Sequence, residues 1–369
     1  MQDRQIRALA DVIVNYSIYL HPGEVAYIDT LNLPIEFLET LIDSIVAAKG
    51  IPIISIKSDR ILRKIYQNIS IRAMEIERDI ELSRMGHCDA YIGVKAPQNI
   101  SEFSDIPEEN WRIFKQYFWE PVHLKTRIPH KKWVTLRWPT PAMAQQAGLS
   151  IETFEKLFFS ACTVDYLGLS QRMTPLKELM EHTDTIRIVA PHTDLEFSIQ
   201  DNPVIKGDGH WNLPDGEILV APRKDSLNGH IRFNAPTIFM GKYFDNVQFI
   251  FRDGRIHKAT SSDKSGINDI LDTDEGARYC GEFAFGLNSC IKKPMRDIIF
   301  DEKIFGSIHV AAGNAYPESD NGNRSRIHWD FILLLSKLYG GGKVYCDENL
   351  IMKDGRFTSE KLQNLNIRD

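Results

Sequence analysis

Three consecutive runs, EVAYIDT (24–30), IEFLETLIDSIVAAKG (35–50) and IPIISIKS (51–58), restrict the fold of this chain more than any other stretch. The outer two are short, apolar and rich in β-branched residues, as buried strands are. The middle one is amphipathic and ends on Gly50, as a helix does. A helix between two strands is long enough to carry the chain back across a sheet, so the second strand is predicted to lie parallel to the first. CDAYIGVKAP (88–97) and KWVTLRWPT (132–140) supply two further apolar runs with helical segments between. Ahead of them, Ile6, Leu9, Ala10, Ile13, Tyr16, Ser17 and Leu20 recur at helical spacing from Arg4 to Leu20, until His21-Pro22-Gly23 stops the pattern. The first part of the chain is therefore read as an α/β domain with a largely parallel sheet, over 1–183.

SIETFEKLFFSACTVDY (150–166) reads as a helix with Ser150 as its N-cap and Glu152 in its first turn, and a further helix is read from about Pro175 to Met180. Beyond Thr183 the grammar changes. IRIVAP (186–191), DLEFSIQ (194–200), GEILVAP (216–222), GHIRFNAPTIFM (229–240) and VQFIFRDGRIHKAT (247–260) are short strands punctuated by Gly, Asn and Asp, with RDGR (252–255) as a hairpin turn. Helices are predicted at 265–280 and at DFILLLSKLY, 330–339. The region 184–369 is accordingly read as a mixed α+β domain with a mostly antiparallel sheet. A chain of 369 residues exceeds what one hydrophobic core usually organises, which agrees with two domains.

Charge and composition exclude several function classes. A formal charge of −6 offers no concentrated positive field for nucleic acid. Neither GxGxxG nor GxxxxGK follows a predicted strand, so the α/β half carries no nucleotide claim. No run approaches the roughly 20 apolar residues of a membrane span. The opening MQDRQIRALADVIVNYSIYL lacks the unbroken apolar centre of a signal peptide, and five scattered cysteines without CxxC suit a reducing compartment. A cytoplasmic location is expected.

Chemistry concentrates in the second half. Glu282 lies beside Phe283 and Phe285 in GEFAFG, where a carboxylate costs several kcal/mol unless paired or metal-bound. Glu217 opens an apolar strand whose period of two could turn it to either face. Glu302, between Asp301 and Lys303, reads equally well as a solvated loop charge, and His309 taken alone reads as a hydrogen-bonded core histidine. His328 and Asp330 form an HxD step; on a strand both share one face and could converge on a cation, whereas at a helix start they would diverge. Trp329 between them would then point away.

Together GDGHWNLPDGEILVAP (207–222), DSLNGHIRF (225–233), LDTDEGARYCGEFAFGLN (271–288), FDEKIFGSIHVAAGNAYPES (300–319) and NRSRIHWDFI (323–332) resemble the M29 aminopeptidases, the thermophilic aminopeptidase T family. RWPTPAMAQQAGLSIETFEKLFFSACTVDY (137–166) is similar to the segment joining that family's two domains, so the resemblance covers most of the chain. It implies two close divalent ions, cobalt or zinc, with manganese or magnesium as other candidates. It places their ligands at Glu217, Glu282, Glu302, His309, His328 and Asp330, gives Glu282 a catalytic role as well, and places the catalytic tyrosine at Tyr316. It also implies a peptide substrate and a homodimer. Four carboxylates and two neutral imidazoles would balance two divalent cations. The implied reaction is release of N-terminal residues by a metal-bridged hydroxide, with Tyr316 hydrogen-bonding the developing oxyanion. The general base stays open between Glu282 and Glu302.

This chain departs from the family pattern in two ways. Glu302 stands further upstream of His309 than the family's glutamate, and only PESDNGNRSRI joins Tyr316 to His328. Two alternative readings accompany the aminopeptidase. His309, His328 and Asp330 could form the facial triad of a mononuclear Fe(II) ring-cleaving dioxygenase related to 2,5-dihydroxypyridine dioxygenase. A non-catalytic metal- or peptide-binding homologue is the other. His210, close in sequence to Glu217, is a further candidate for lining the substrate pocket.

Overall fold

The computed structural model describes residues 2–239 and 241–366. It divides into two compact units, one of residues 1–163 with 209–214, the other of 164–208 with 215–369. The helix Tyr166–Glu181, on the N-terminal side of a boundary at 183, counts with the second unit.

In the first unit the strands Ile51–Lys57, Val25–Leu31, Ala90–Lys95, Lys132–Arg137 and Asn212–Leu213 lie side by side in that order, every neighbouring pair parallel. The helix Ile35–Ala47 makes the first crossover, as its 3.6-residue pattern requires. Tyr27, Met85, Cys88, Tyr91 and Val122 form a buried cluster on this sheet. The helix Ile151–Cys162 begins as its sequence indicates, with the Ser150 hydroxyl accepting from the Thr153 amide at 3.3 Å. His123, next to Val122 of this cluster, is half-buried. It packs edge-on against Tyr91, and burial first, then the Arg127 charge, depresses its imidazole to about 3.

The second unit is antiparallel. Among the described residues it holds an eight-stranded sheet built around Thr185–Ala190 and Thr193–Ser198, and a five-stranded sheet of His328–Leu334, Ser307–Gly313, Cys280–Gly286, Glu217–Val220 and Ile205–Gly207 in that order. Asp253 and Gly254, both at positive φ, turn the expected hairpin between Gln248–Arg252 and Arg255–Thr260. The two sheets meet through phenylalanines: Phe283 lies 5.1 Å from Phe197 and Phe331 lies 4.8 Å from Phe249, ring centre to ring centre.

Four local expectations are corrected. Residues 328–334 are a strand, not the start of a helix over 330–339; only Lys337–Tyr339 makes a short 3₁₀ turn. A continuous apolar run does not by itself separate a buried strand from a helix. The helix expected at 265–280 stops at Leu271 and gives way to a 3₁₀ turn and the strand from Cys280. GHIRFNAPTIFM breaks before Pro236 into the strands Asn228–Arg232 and Thr237–Phe239, and its last residue, Met240, lies outside the described residues. Pro175, read as a helix start, sits inside Tyr166–Glu181, whose N-cap is Asp165.

Trp329 faces away from its HxD neighbours, as expected. It is 1% exposed, its indole N–H donates to the Thr237 hydroxyl at 3.1 Å, and it stacks on Phe239. Trp329→Ala is expected to cost about 3–5 kcal/mol of unfolding free energy, read from a denaturant titration.

Candidate metal centre

The register of the five-stranded sheet explains how scattered residues converge. Gly286 pairs with Glu217, Ala284 with His309, Glu282 with Ala311, Ala311 with Asp330, and Gly313 with His328. Directly opposed residues point to the same face, and so do residues two apart along a strand. Glu217, Glu282, His309, His328 and Asp330 therefore all project from one face. The alternating positions, Phe283, Val310 and Phe331, fill the other and build the core. Between the ionisable groups that same face carries Ala284, Gly286, Ala311 and Gly313, which leave room for side chains to meet.

His309 is the hub. Fully buried, its Nε2 lies 2.9 Å from Glu282 Oε1, 3.6 Å from Glu217 Oε2 and 4.0 Å from Asp330 Oδ1. His328 Nδ1 donates to the Asn314 carbonyl at 2.8 Å, which leaves Nε2 facing Asp330 Oδ1 at 3.4 Å and Glu282 Oε2 at 3.6 Å. Glu302 comes from a different element, the end of the short helix Ile298–Asp301, yet its carboxylate joins His309 and Asp330. Two overlapping sets, Glu217 with Glu282 and His309, and Glu302 with His309 and Asp330, each bring ligand atoms within 4.8 Å of one another. Tyr316 follows the Ser307–Gly313 strand; the residue is 43% exposed and its ring centre lies 4.6 Å from that of His328. All seven residues singled out from sequence are thus gathered in the second unit. His210 is not among them: it belongs to the first unit and stacks on Tyr16 at 4.8 Å.

Sequence reading missed two members. Lys303, which entered only as the neighbour of Glu302, is 1% exposed, and its ammonium touches Glu217 Oε1, Glu302 Oε1 at 2.8 Å and Asp215 Oδ1 at 3.6 Å. Asp215 is equally buried. The signal lay in the apolar residues bracketing DEK in IIFDEKIFG, which leave little of that segment to water.

Burial lifts Glu217 and Glu302 above the usual carboxylate range, while the Lys303 charge opposes the lift. For the histidines, burial alone would lower the pKa. The Glu282 hydrogen bond and surrounding acids outweigh it and raise His309 to about 9, and the Asp330 charge 3.4 Å away raises His328 to about 10. A histidine pKa raised on folding contributes stability that is whole below its unfolded value of about 6.5 and disappears as pH climbs through the folded value. Chelator-treated protein is therefore expected to lose thermal stability between about pH 7 and pH 10, with added zinc suppressing the loss; melting curves across that range check it.

Three carboxylate oxygens of this cluster, Glu217 Oε2, Glu282 Oε2 and Asp330 Oδ1, are buried and have no hydrogen-bond partner, and neither has His309 Nδ1. Buried acceptors without donors are costly, and oxygen and imidazole nitrogen together are the ligand chemistry of divalent cations. The donor set fits a metal.

Sequence comparison decides the family. The profile of the thermophilic metalloproteases (M29) matches residues 2–357. The chain belongs to the M29 family. This M29 protein is 26% identical over 246 residues to Aminopeptidase 2 of Geobacillus stearothermophilus, an alignment covering 54% of this chain and 59% of that relative. The chain thus spans less than two thirds of the relative's length. Among solved structures, AmpT from Thermus thermophilus superimposes with a TM-score of 0.81 at 18% identity, over 97% of this chain and 100% of that one. The 2,5-dihydroxypyridine dioxygenase of Pseudomonas putida gives 0.62 at 11% identity, over 98% and 99%. The parallel and antiparallel sheets of this M29 member are thus the fold of both.

Proposed function

We propose that the chain is a metal-dependent aminopeptidase that releases N-terminal residues from peptides at the cluster around His309. The observation carrying this reading is the set of buried carboxylate oxygens without partners on Glu217, Glu282 and Asp330, in a chain of the M29 family. Glu282, His309, His328 and Asp330 would hold the metal, with Glu217 Oε2 on the same side. When bound, a divalent ion such as cobalt, zinc, manganese or magnesium supplies a Lewis acid and an activated water as nucleophile.

The residues of the chain do the rest. Glu282 Oε2, free of hydrogen bonds, takes the proton that the nucleophile sheds and returns it to the leaving amine. Glu302, at 14% side-chain exposure the most open of the cluster's acids, is placed to receive the substrate's α-ammonium. Tyr316 keeps its proton: although the residue as a whole is 43% exposed, desolvation of its phenol beside the cluster and then the charges of Glu282 and Asp330 push it above the ordinary range. From the open side of His328 that phenol donates a hydrogen bond to the peptide carbonyl oxygen as it becomes negative. Tyr316→Phe is expected to lower kcat by roughly 10²–10³-fold with metal content unchanged, as steady-state kinetics would show. A cytoplasmic site of action is proposed from the scattered spacing of the five cysteines, which lack a CxxC pair. Among the described residues no helix is long and apolar enough to cross a membrane. The homodimer implied by the family resemblance is checked by light scattering.

Incubating metal-reconstituted protein with peptides bearing free or acetylated N-termini tests the function. Release of the first residue from the free form alone supports it, and no release with cobalt, zinc, manganese or magnesium overturns it. The convergence of His309, His328 and Asp330 gives the iron dioxygenase its foothold; oxygen uptake with Fe(II) and a dihydroxypyridine, without peptide release, would select that reading.

A further inference from the structure

We infer that the ammonium of Lys303 stands in for one of the two cations expected at this centre, so that the folded chain binds a single divalent ion. The inference rests on the metallopeptidase reading and refines it. Lys303 sits inside the cluster, 1% exposed, where a flexible four-carbon stem would otherwise carry its charge to water. Its Nζ hydrogen-bonds Glu217 Oε1 and lies 2.8 Å from Glu302 Oε1 and 3.6 Å from Asp215 Oδ1, so three carboxylates, two of them from the 215–217 segment and one from its own neighbour, surround one ammonium. An ammonium has three donors, and this is the number of acids it faces.

The expected ligands therefore separate into two groups. Glu302 Oε1 and Glu217 Oε1 are engaged by Lys303. Glu217 Oε2, Glu282 Oε2, Asp330 Oδ1 and His309 Nδ1 are not hydrogen-bonded, and His309 and His328 turn their Nε2 atoms toward Glu282 and Asp330. A second divalent ion between Glu217 and Glu302 would have to share its space with a fixed positive charge of the protein, and like charges at such range repel. The lysine supplies there the neutralisation that an ion would have provided, and Glu217 joins the two cationic positions through its two oxygens.

Counting zinc tests the assignment. Metal-stripped protein is saturated with zinc, dialysed free of loose ions and measured for zinc per folded chain, with release of N-terminal residues assayed on the same samples. The parent protein is expected to retain one zinc, Lys303→Arg one and Lys303→Met two. Two zinc ions on the parent overturn the inference while leaving the aminopeptidase reading intact, provided peptides are cleaved. A folded Lys303→Met chain that still holds one overturns it as well. No zinc and no cleavage defeats both. Should Lys303→Met fail to fold, the parent count alone decides.

Discussion

His309→Ala is expected to abolish peptide hydrolysis and metal retention together. This imidazole is the one side chain shared by both ligand sets, completely buried and within 4.0 Å of Glu217, Glu282 and Asp330. Losing a residue that merely orients a ligand weakens metal binding about 10–100-fold, so removing a ligand common to the whole cluster should exceed that. The alanine also leaves three acids facing one another without the positive charge that His309 supplies in the metal-free protein, so the apo form should melt earlier than the parent's. Metal analysis, kinetics on an aminoacyl amide and a melting curve check the three parts separately. Retained metal with normal turnover would remove His309 from the centre.

Glu282→Gln is expected to lower kcat by about 10²–10⁴-fold, the range contributed by positioned acid–base groups, and to weaken metal binding. The substitution keeps the side chain's volume, and Phe283 and Phe285 face the opposite side of the strand, so the core should be undisturbed. What changes is chemistry at two atoms: Oε1, which accepts from His309 at 2.9 Å, and Oε2, which is unpartnered and 3.6 Å from His328. An amide cannot accept a proton at either place near neutral pH. Full turnover in Glu282→Gln, with metal bound, would move the base to Glu302.

The first sheet was legible because β-α-β alternation leaves few topologies: the strands predicted at 24–30, 51–58, 88–97 and 132–140 all appear, and in parallel. The short strand Asn212–Leu213 was not foreseen, since two residues carry no periodicity. In the second unit the residue types of the centre were readable and their arrangement was not. Period two allowed Glu217 to face either way; only the pairing of Gly286 with Glu217 turns it inward. The run after His328 was ambiguous because both faces of that strand are buried, which erases alternation. Lys303 escaped notice because lysine is so rarely buried that charge next to charge reads as surface. Its burial depends on Asp215 and Glu217, more than eighty residues upstream.

The antiparallel pairing that aligns the centre also acts as a proofreader of assembly. Slide the HWD strand by one position and Trp329 enters the cation pocket while Asp330 is driven among Phe249 and Phe233. A misaligned chain is thus penalised on both sides of the same sheet, and only the aligned one gains the free energy of capturing a cation. Metal supply during synthesis should therefore raise the yield of correctly folded protein as well as its activity.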